Sequence, residues 1–507
     1  MHLSRYTYSL LCCLLILASF YYGLFDHLND APQSIHLWRQ SDCLSMTLNY
    51  YQYNYPLWEP HIHNLGFDGT GKTCSEFPLL YYFMAKIWHV TGNYMFVYRG
   101  LMLVIFWTGL VYVAKTVKLI TSNTFLAIFT AMLLFSAPTL VYYAHNVLSD
   151  IPALSLSFIG LYHTIQYLKT ERITSLLSLL LFFCLAGLLK LSSQLLAISV
   201  LGTILFQYCF YFKPHYPYVI KHLKLCLGLI FIFILQGIWY RYAITYNAKF
   251  NAGMFLTGIL PIWDLHYFEI KNVIRAIYDH FTWDYFRGIT TVCIAIAYIY
   301  VLKNRKSITD TFLFYLCVCT LVGLIIYVLL FFEALKDHDY YCINLYIIIP
   351  VILIVFFLIL KQNQVNLHSK YVLVALCIGL LHNIDFTKRR MEQRYQFTSW
   401  HNSAYALTYI KFETLKKQLL TIGITANDKI ISISDNSINT SLYFLNRKGW
   451  TNYNIQDKAE NMTTCIHLGA RYLVVLNSTL EKHNAIISSY TKGIIAKTKD
   501  FSIYKLT

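Results

Sequence analysis

The sequence predicts an α-helical membrane protein with many spans and a small water-soluble α/β domain at its C-terminal end. Hydrophobic residues make up 57% of the 507-residue chain and charged residues only 13%, about half the share usual in soluble proteins. Apolar runs close to the roughly 20 residues that cross a bilayer recur through residues 1–384 and predict about eleven transmembrane helices. The tail instead alternates charged residues with short apolar stretches.

Basic residues fall on alternate connections between these predicted spans. Arg5, Lys115 and Lys303 mark one set of connections, which the positive-inside rule places in the cytoplasm. We therefore attribute the net charge of +16 to basic residues in the cytoplasmic connections and not to a nucleic-acid-binding function. The first apolar segment lacks a small-residue cleavage site, so we expect it to remain as an anchor. Loop 26–99 and the tail then lie outside, in the periplasm of a bacterial inner membrane or in the lumen of a eukaryotic endoplasmic reticulum.

The tail, residues 385–507, is predicted to form an outward soluble α/β domain of about 100 residues, a usual domain size. The stretches DKIISIS and RYLVVLN are typical of strands, and TTCIHLGA between them is typical of a helix. An amphipathic pattern before them predicts a helix that ends at Gly423. The stretch IIAKTKDFSIYKL is predicted to close a small sheet.

One stretch of the outer loop, HLWRQSDCLSMTLNYY at residues 36–51, directly follows the first apolar segment. Its apolar residues recur at near-helical spacing, which predicts a short amphipathic helix lying on the membrane surface. On such a helix Arg39 and Asp42 lie one turn apart, so they can form an ion pair, and a simple surface pair is the alternative interpretation of Asp42. Asp42 lies inside the predicted helix, and therefore helix capping does not account for it.

Three further polar clusters lie at the outer ends of predicted spans, within SEFPLL, SDIPAL and KDHDYY. Carboxylates beside membrane spans are unfavourable unless they are paired or functional. The two that precede a proline also fit the start of a helix, and the aromatic pair also fits a belt at the membrane interface. The candidate residues are Glu76, Asp150, His338, Asp339, Tyr340 and Tyr341.

The thirteen cysteines lie mostly in apolar runs, where cysteine acts as a small hydrophobic residue. Cys43 and Cys74 share the outer loop, and the sequence leaves open whether they form a disulfide. No pair or cluster of Cys and His has the spacing of a zinc site. We therefore expect no metal and no cofactor.

The order of these motifs resembles that of membrane glycosyltransferases with the GT-C fold. The matching segments are HLWRQSD, EFPLLYY, SDIPALSL, DHDYY and, in the tail, SDNSINTSLYFLNRKGW. The sequence looks like the dolichyl-phosphate-mannose protein mannosyltransferase type, and more closely like its bacterial family 39 relatives. The lipid A aminoarabinose transferase is a more distant relative. That family often has a small residue such as Thr after the aspartate, where this chain has Cys43.

The resemblance implies an enzyme that transfers a sugar from a polyprenyl-phosphate donor to an acceptor on the outer face of the membrane. The acceptor would be a cell-surface glycan, a lipid or a protein, and a single displacement would invert the anomeric centre. Asp42 would be the general base. The substrate-binding residues would be Arg39, Glu76, Asp150, His338, Asp339, Tyr340 and Tyr341.

Two other functions remain as alternatives at this point. A lipid-linked-sugar transporter or flippase usually has charged groups at mid-membrane and broken helices in two related halves. Here the charges lie at span ends, and the second half does not resemble the first. A non-catalytic membrane scaffold that binds partners through its tail is the other alternative.

Overall fold

The computed structural model describes residues 2–210, 216–250, 252, 254–255, 258–308, 310–396 and 404–507. Helices account for most of these residues, and a small sheet lies near the C-terminal end. The helices are α1 His2–Tyr22, α2 Leu37–Tyr53, α3 Leu79–Thr91, α4 Met95–Thr121, α5 Thr124–Leu134, α6 Pro138–Tyr143, α7 Asp150–Thr170, α8 Ile173–Leu189, α9 Leu195–Phe210, α10 Tyr216–Lys249, α11 Tyr267–His280, α12 Gly288–Lys303, α13 Thr311–Leu330, α14 Ala334–Asp337, α15 Ile348–Gln362, α16 Lys370–Tyr395, α17 Ala404–Thr421, α18 Thr440–Leu445, α19 Asn452–Ile455, α20 Ala459–His467 and α21 Asn484–Tyr490. The strands are β1 Lys429–Ser432, β2 Gly449–Thr451, β3 Ala470–Leu476, β4 Thr491–Lys497 and β5 Phe501–Leu506.

Many of these helices are apolar enough to lie in a bilayer. Six in the described ranges are also long enough to cross it, and a seventh results if Tyr267–Tyr285 and Gly288–Lys303, bent by 99°, count as one span. Three shorter apolar helices, Tyr6–Tyr22, Thr124–Leu134 and Ile173–Leu189, accompany them. The prediction of a polytopic α-helical membrane protein is confirmed. The number of eleven spans stays a prediction.

The chain forms two compact units, each assembled from three segments. Unit 1 comprises Met1–Leu28, Tyr98–Trp239 and Gly258–Glu392, and unit 2 comprises Asn29–Val97, Tyr240–Thr257 and Gln393–Thr507. Unit 2 therefore combines most of the predicted outer loop with the tail. The division into residues 1–384 and 385–507, drawn from composition alone, does not include this grouping and stays a prediction.

Unit 1 is a helical bundle in which α7 packs against α8, α9 against α13, and α12 against α15. Helix α7 approaches α8 closely at Gly160, since a Cβ there would lie 2.6 Å from the ring of Phe183 in α8. A 3₁₀ segment, Asp339–Ile347, leads directly into α15. Runs of this kind longer than three or four residues are uncommon, and this one carries part of the predicted DHDYY motif.

The sheet of unit 2 has the strand order β2-β1-β3-β5-β4. The pairs β1–β2 and β1–β3 are parallel, and the pairs β3–β5 and β4–β5 are antiparallel. Because side chains alternate along a strand, Ile430 faces an apolar cluster that includes Leu37, whereas Ile431 faces a second cluster that includes Met462 of α20. The predicted tail helices and sheet are confirmed.

The outer loop is joined to the edge of this sheet at β2. Asn64 forms a parallel bridge with Gly449, whose N–H donates to the His63 carbonyl at 3.0 Å and whose carbonyl accepts from the Leu65 N–H at 2.9 Å. A Cβ on Gly449 would lie 1.8 Å from the carbonyl oxygen of Ile430. Only glycine therefore fits at this junction, and it holds the loop that follows α2 against the tail.

Candidate active site

Helix α2 carries the candidate base and lies inside unit 2. The predicted helix is confirmed, but the predicted position on a membrane surface is wrong, because residues 40–50 are buried all round. The helix packs against α3 and also against α18 of the tail. Trp38 at its start remains 42% exposed, so only the first turn of the helix has the environment that the sequence predicts.

Arg39 forms an ion pair with Glu76, a partner outside α2 that the spacing of Arg39 and Asp42 did not indicate. The same Glu76 oxygen accepts a hydrogen bond from the Tyr81 hydroxyl at 2.6 Å, and this hydroxyl lies 3.3 Å from the Cys43 Sγ. Glu76 is not a helix cap, since α3 begins after Pro78 without a side-chain cap. The network therefore surrounds Asp42 with a cation and a second carboxylate.

Asp42 is a buried carboxylate with an exposed fraction of 6%. Loss of hydration on burial raises its pKa to about 7, and the charges of Asp435 and Glu76 act in the same direction. Arg39 and a hydrogen bond with Asn439 oppose this rise because both favour the ionised form. A carboxyl group with this pKa is able to accept a proton near neutral pH, which an ordinary aspartate does poorly.

Two residues of the tail, Asp435 and Asn439, belong to this site although the sequence analysis did not select them. Both are fully buried, and both act on the Asp42 carboxyl. They lie in the segment SDNSINTSLYFLNRKGW, which carries part of the resemblance to GT-C glycosyltransferases. The sequence does show polar residues in this tail motif. It could not show that they contact α2, which lies about 400 residues earlier in the chain.

The two cysteines of the outer loop are both buried and both free thiols. The disulfide that the sequence left open is therefore not formed. Burial raises the pKa of the Cys43 thiol to about 12, so this thiol is neutral at physiological pH. Cys43 thus fills a small apolar position next to Asp42 and contributes no charge to it.

Asp150 lies in unit 1, where it begins α7, and its carboxylate is buried. The Lys190 Nζ lies 3.0 Å from its Oδ1 in an ion pair. Neither carboxylate oxygen accepts a hydrogen bond of ordinary geometry from the described residues, so the charge of Lys190 is its main compensation. Lys190, at the junction of α8 with the next turn, was missed, although it is a lone cation between two long apolar runs.

The residues of the DHDYY motif gather around the same lysine. The Lys190 Nζ lies 5.1 Å from the ring centroid of Tyr340 and 4.7 Å from that of Tyr341. Asp339 is buried and accepts a hydrogen bond from the Tyr143 hydroxyl, while His338 is exposed. Because Asp339 and Tyr340 are buried, a solvated aromatic belt does not describe this motif. Unit 1 therefore brings Asp150, the aromatic pair and a cation together.

The described residues contain no group of three or more His, Cys, Asp or Glu side chains close enough to hold a metal ion. The charged groups of each unit instead form ion pairs of one acid with one base, Arg39 with Glu76 and Lys190 with Asp150.

Comparison with solved structures identifies the fold. The chain matches ArnT from Cupriavidus metallidurans, a lipid A aminoarabinose transferase, over 97% of both chains with a TM-score of 0.62 at 10% identity, in the apo state and bound to undecaprenyl phosphate. It also matches the archaeal oligosaccharyltransferase AglB from Archaeoglobus fulgidus, in complex with an inhibitory peptide and a dolichol-phosphate, over 93% of this chain and 70% of that one, with a TM-score of 0.55 at 10% identity.

No protein-family model and no curated protein matches the sequence. Both structural neighbours have the GT-C fold of membrane glycosyltransferases, and the predicted resemblance in fold is confirmed. The chain is an integral membrane protein with this fold. At 10% identity the likeness establishes the fold, and the activity has to be argued from the residues.

Proposed function

We propose that this protein is a glycosyltransferase that moves a sugar from a polyprenyl-phosphate donor to an acceptor hydroxyl on the outer face of the membrane. The observation that carries the proposal is Asp42, a buried carboxyl group whose pKa is raised to about 7 within a GT-C fold. The acceptor is a cell-surface glycan, a lipid or a protein. The donor and the acceptor are the partners, together with membrane lipid, and nucleic acid is not one.

The chemical step is a single displacement at the anomeric carbon. The acceptor oxygen forms a bond to that carbon while the bond from the carbon to the phosphate oxygen breaks, so the centre inverts. The acceptor proton passes to the Asp42 carboxylate, and the polyprenyl phosphate leaves with the bonding electrons. A base is most effective when its pKa lies near the working pH, which is the property that burial gives to Asp42.

The leaving phosphate gains negative charge, and cations lower the energy of that charge in the transition state. Within unit 2 we assign phosphate binding to Arg39, which is half-buried. Within unit 1, Lys190 is half-buried and His338 is exposed, and each is a separate candidate cation. Arg39 is oriented by Glu76 and Lys190 by Asp150. The Tyr340 and Tyr341 rings, next to Lys190, offer flat apolar faces suited to a sugar or an isoprenoid chain, and Asp339 supports this segment through Tyr143.

Two further observations support a lipid-linked donor. ArnT was solved with undecaprenyl phosphate and AglB with a dolichol-phosphate, and both are polyprenyl phosphates. The orientation derived from the basic connections places the N-terminus in the cytoplasm and unit 2 outside, in the periplasm if the host is bacterial. A donor that is anchored in the membrane fits this arrangement.

Replacement of Asp42 by Asn is the direct test. The variant keeps the shape of the side chain but has no basic oxygen, so we expect the transfer rate to fall by about 10² to 10⁴-fold, the contribution of a general base. The full-length protein in proteoliposomes is supplied with a panel of synthetic labelled polyprenyl-phosphate hexoses, pentoses and N-acetylhexosamines. Envelope extract from the host supplies the acceptor, and transferred label is measured.

The matched control is Asp26→Asn, because Asp26 is an exposed carboxylate of the same outer loop outside the Asp42 network. We expect it to keep the rate of the unmodified protein. Full transfer by Asp42→Asn would refute the assignment of Asp42. Movement of the intact labelled lipid across the bilayer without transfer would favour a flippase, and binding of the labelled lipid without either change would favour a scaffold.

A further inference from the structure

Asn439 is a fully buried polar side chain in the tail loop that leads into α18. It occupies the N-cap position of this helix, but its side chain makes no capping hydrogen bond. Capping is the usual role of asparagine at such a position. The side chain is therefore available for another role, and its contacts all lead to α2 and the loop that follows α2.

The orientation of the Asn439 amide is fixed by its donors. Its Oδ1 accepts hydrogen bonds from the Asn64 backbone N–H at 3.2 Å and from the Ser45 hydroxyl at 3.3 Å. A backbone N–H can only donate, so this atom is the oxygen and the other is the nitrogen. The Nδ2 donates to the Ser41 carbonyl at 3.5 Å, and the amide favours the ionised form of the neighbouring Asp42 carboxyl group.

The backbone of this loop is held by Asp435, which is also fully buried. Its carboxylate accepts hydrogen bonds from the N–H groups of Ser437 at 2.8 Å and Ser441 at 2.7 Å, and from the Tyr409 hydroxyl at 2.7 Å. Each of these bonds spans only a few residues or joins the loop to α17. These bonds hold the loop backbone without any contribution from α2, so Asn439 is presented to α2 in one orientation.

We propose that Asn439 is a positioning residue of the transferase, which holds the turn of α2 that carries Asp42 in place from the tail through its hydrogen bonds with Ser41 and Ser45. The inference rests on the proposed function, since it assigns the tail a part in the reaction and not only in stability. Asn439 touches the proposed base and not the reacting atoms, so its effect is exerted through Asp42.

The charged and titratable groups that act on Asp42 come from three directions. Arg39 precedes it on α2, Glu76 comes from the segment before α3, and Asp435 comes from the tail. Beyond the effect of burial, the Asp42 charge in turn raises the pKa of Cys43 on α2 and of Tyr453 in α19, so both of these side chains are neutral near pH 7. From the tail, Asp435 disfavours the ionised carboxylate whereas Asn439 favours it. Removal of the Asn439 amide therefore leaves only the Asp435 charge acting on Asp42 from this part of the tail, and that charge raises the pKa of Asp42.

The test measures the protonation of Asp42 without any knowledge of the donor sugar. Dicyclohexylcarbodiimide modifies protonated carboxyl groups, and the modification of Asp42 in the detergent-solubilised full-length protein is followed by peptide mass spectrometry from pH 5 to 9. Asn439→Ala removes the donor, and we expect the midpoint to rise by roughly 0.5 to 1 pH units, as the loss of one hydrogen bond to a carboxylate implies. The pH at which the rate of sugar transfer falls to half on the acidic side of its pH profile should rise by the same amount.

Two further variants make the result decisive. Asn439→Asp keeps the size of the side chain and its accepting oxygen, so it is expected to fold, and its added negative charge should raise the midpoint more than Asn439→Ala does. Asn452→Ala removes another buried tail asparagine, one that bonds to Asn436 within the tail, and should leave the midpoint unchanged. A merely structural Asn439 would lower thermal stability in its variants without moving the midpoint.

The two proposals fail separately. If Asp42→Asn transfers sugar normally, the proposed function is wrong whatever Asn439 does. If Asp42→Asn is inactive but neither Asn439 variant moves the labelling midpoint or the acidic limb, the role of Asn439 is wrong and the proposed function stands.

Discussion

The Asp150 carboxylate is buried among apolar helices with a lysine as its main compensation. An ion pair in this setting contributes little net stability, but removal of one partner leaves an isolated buried charge, which costs about 3 to 5 kcal/mol. The Lys190 Nζ also lies over the Tyr341 ring, 4.7 Å from its centroid, and an interaction of this kind strengthens when water is excluded. We therefore expect this ion pair to serve the proposed function through the charge of Lys190 and not through a gain in stability.

A double-mutant cycle separates stability from function at this pair. Lys190→Met should lower the free energy of unfolding by about 3 to 5 kcal/mol, because Asp150 is then buried without a cation. The double variant Asp150→Asn, Lys190→Met should recover most of that loss, since no charge remains. Thermal unfolding in detergent measures the stability of each variant, and transfer of labelled sugar measures its activity.

The expected result is that the double variant is stable and inactive. If the stability losses of the single variants Asp150→Asn and Lys190→Met simply add in the double variant, the two side chains are not coupled. Full activity in the double variant would remove Lys190 from the proposed phosphate site.

The candidate side chains could be selected from the sequence, but their partners could not. Asp42, Glu76 and Asp150 were chosen because a carboxylate at a span end needs a reason. The spacing allowed Arg39 to pair with Asp42, its neighbour along a helix, whereas it pairs with Glu76, 37 residues later. Local spacing gives only local contacts, and the partners Lys190 and Asn439 come from distant segments.

Helix α2 shows how the surroundings of an element can differ from what its pattern predicts. An apolar stripe at helical spacing fits a membrane surface and a protein interior equally well. The covering of α2 comes from α3 and from α18, and α18 is nearly 400 residues away in the sequence. The pattern could therefore predict the helix but not its burial by the tail.

The contact between the outer loop and β2 depends on one glycine. Gly449→Ala places a methyl group where the Ile430 carbonyl lies, at 1.8 Å, and the strands must separate. Overpacking of this kind typically costs about 1 to 3 kcal/mol, and a backbone clash is expected at the upper end. We expect a lower thermal midpoint and a faster exchange of the Leu65 amide, whose hydrogen bond is to Gly449.

Gly493→Ala is a matched control, because Gly493 has open space around its Cα and lies in the same sheet at the β4 edge. Its positive φ of 124° makes alanine somewhat strained there as well, but with no steric clash. A Gly449→Ala variant as stable as this control would mean that β2 is not required to hold the loop.

The whole molecule was predictable as a membrane protein from its composition alone. A chain with 13% charged residues and repeated apolar runs is suited only to a bilayer. The number of spans was not predictable to the same degree, because helices such as Thr124–Leu134 are apolar but short. The grouping of residues 29–97 with residues 393–507 in one compact unit left no local mark in the sequence.

The orientation of the chain gives a prediction at this scale. Lys482→Cys, at an exposed position of the tail, should react with a membrane-impermeant maleimide added to intact cells. Arg305→Cys, exposed on a predicted cytoplasmic connection, should react only after the membrane is permeabilised. The unmodified chain is the control for its native cysteines. Labelling in the opposite order would invert the proposed topology.

The composition of unit 2 also sets the order of events during biosynthesis. Asp42 is translated and exported among the first residues, but α18 leaves the ribosome only near the end of translation. Until then the tail residues that help to bury Asp42 are absent, so the rise of its pKa on burial is expected to be smaller. If the proposed function is right, a chain that stops before α18 is expected to be inactive.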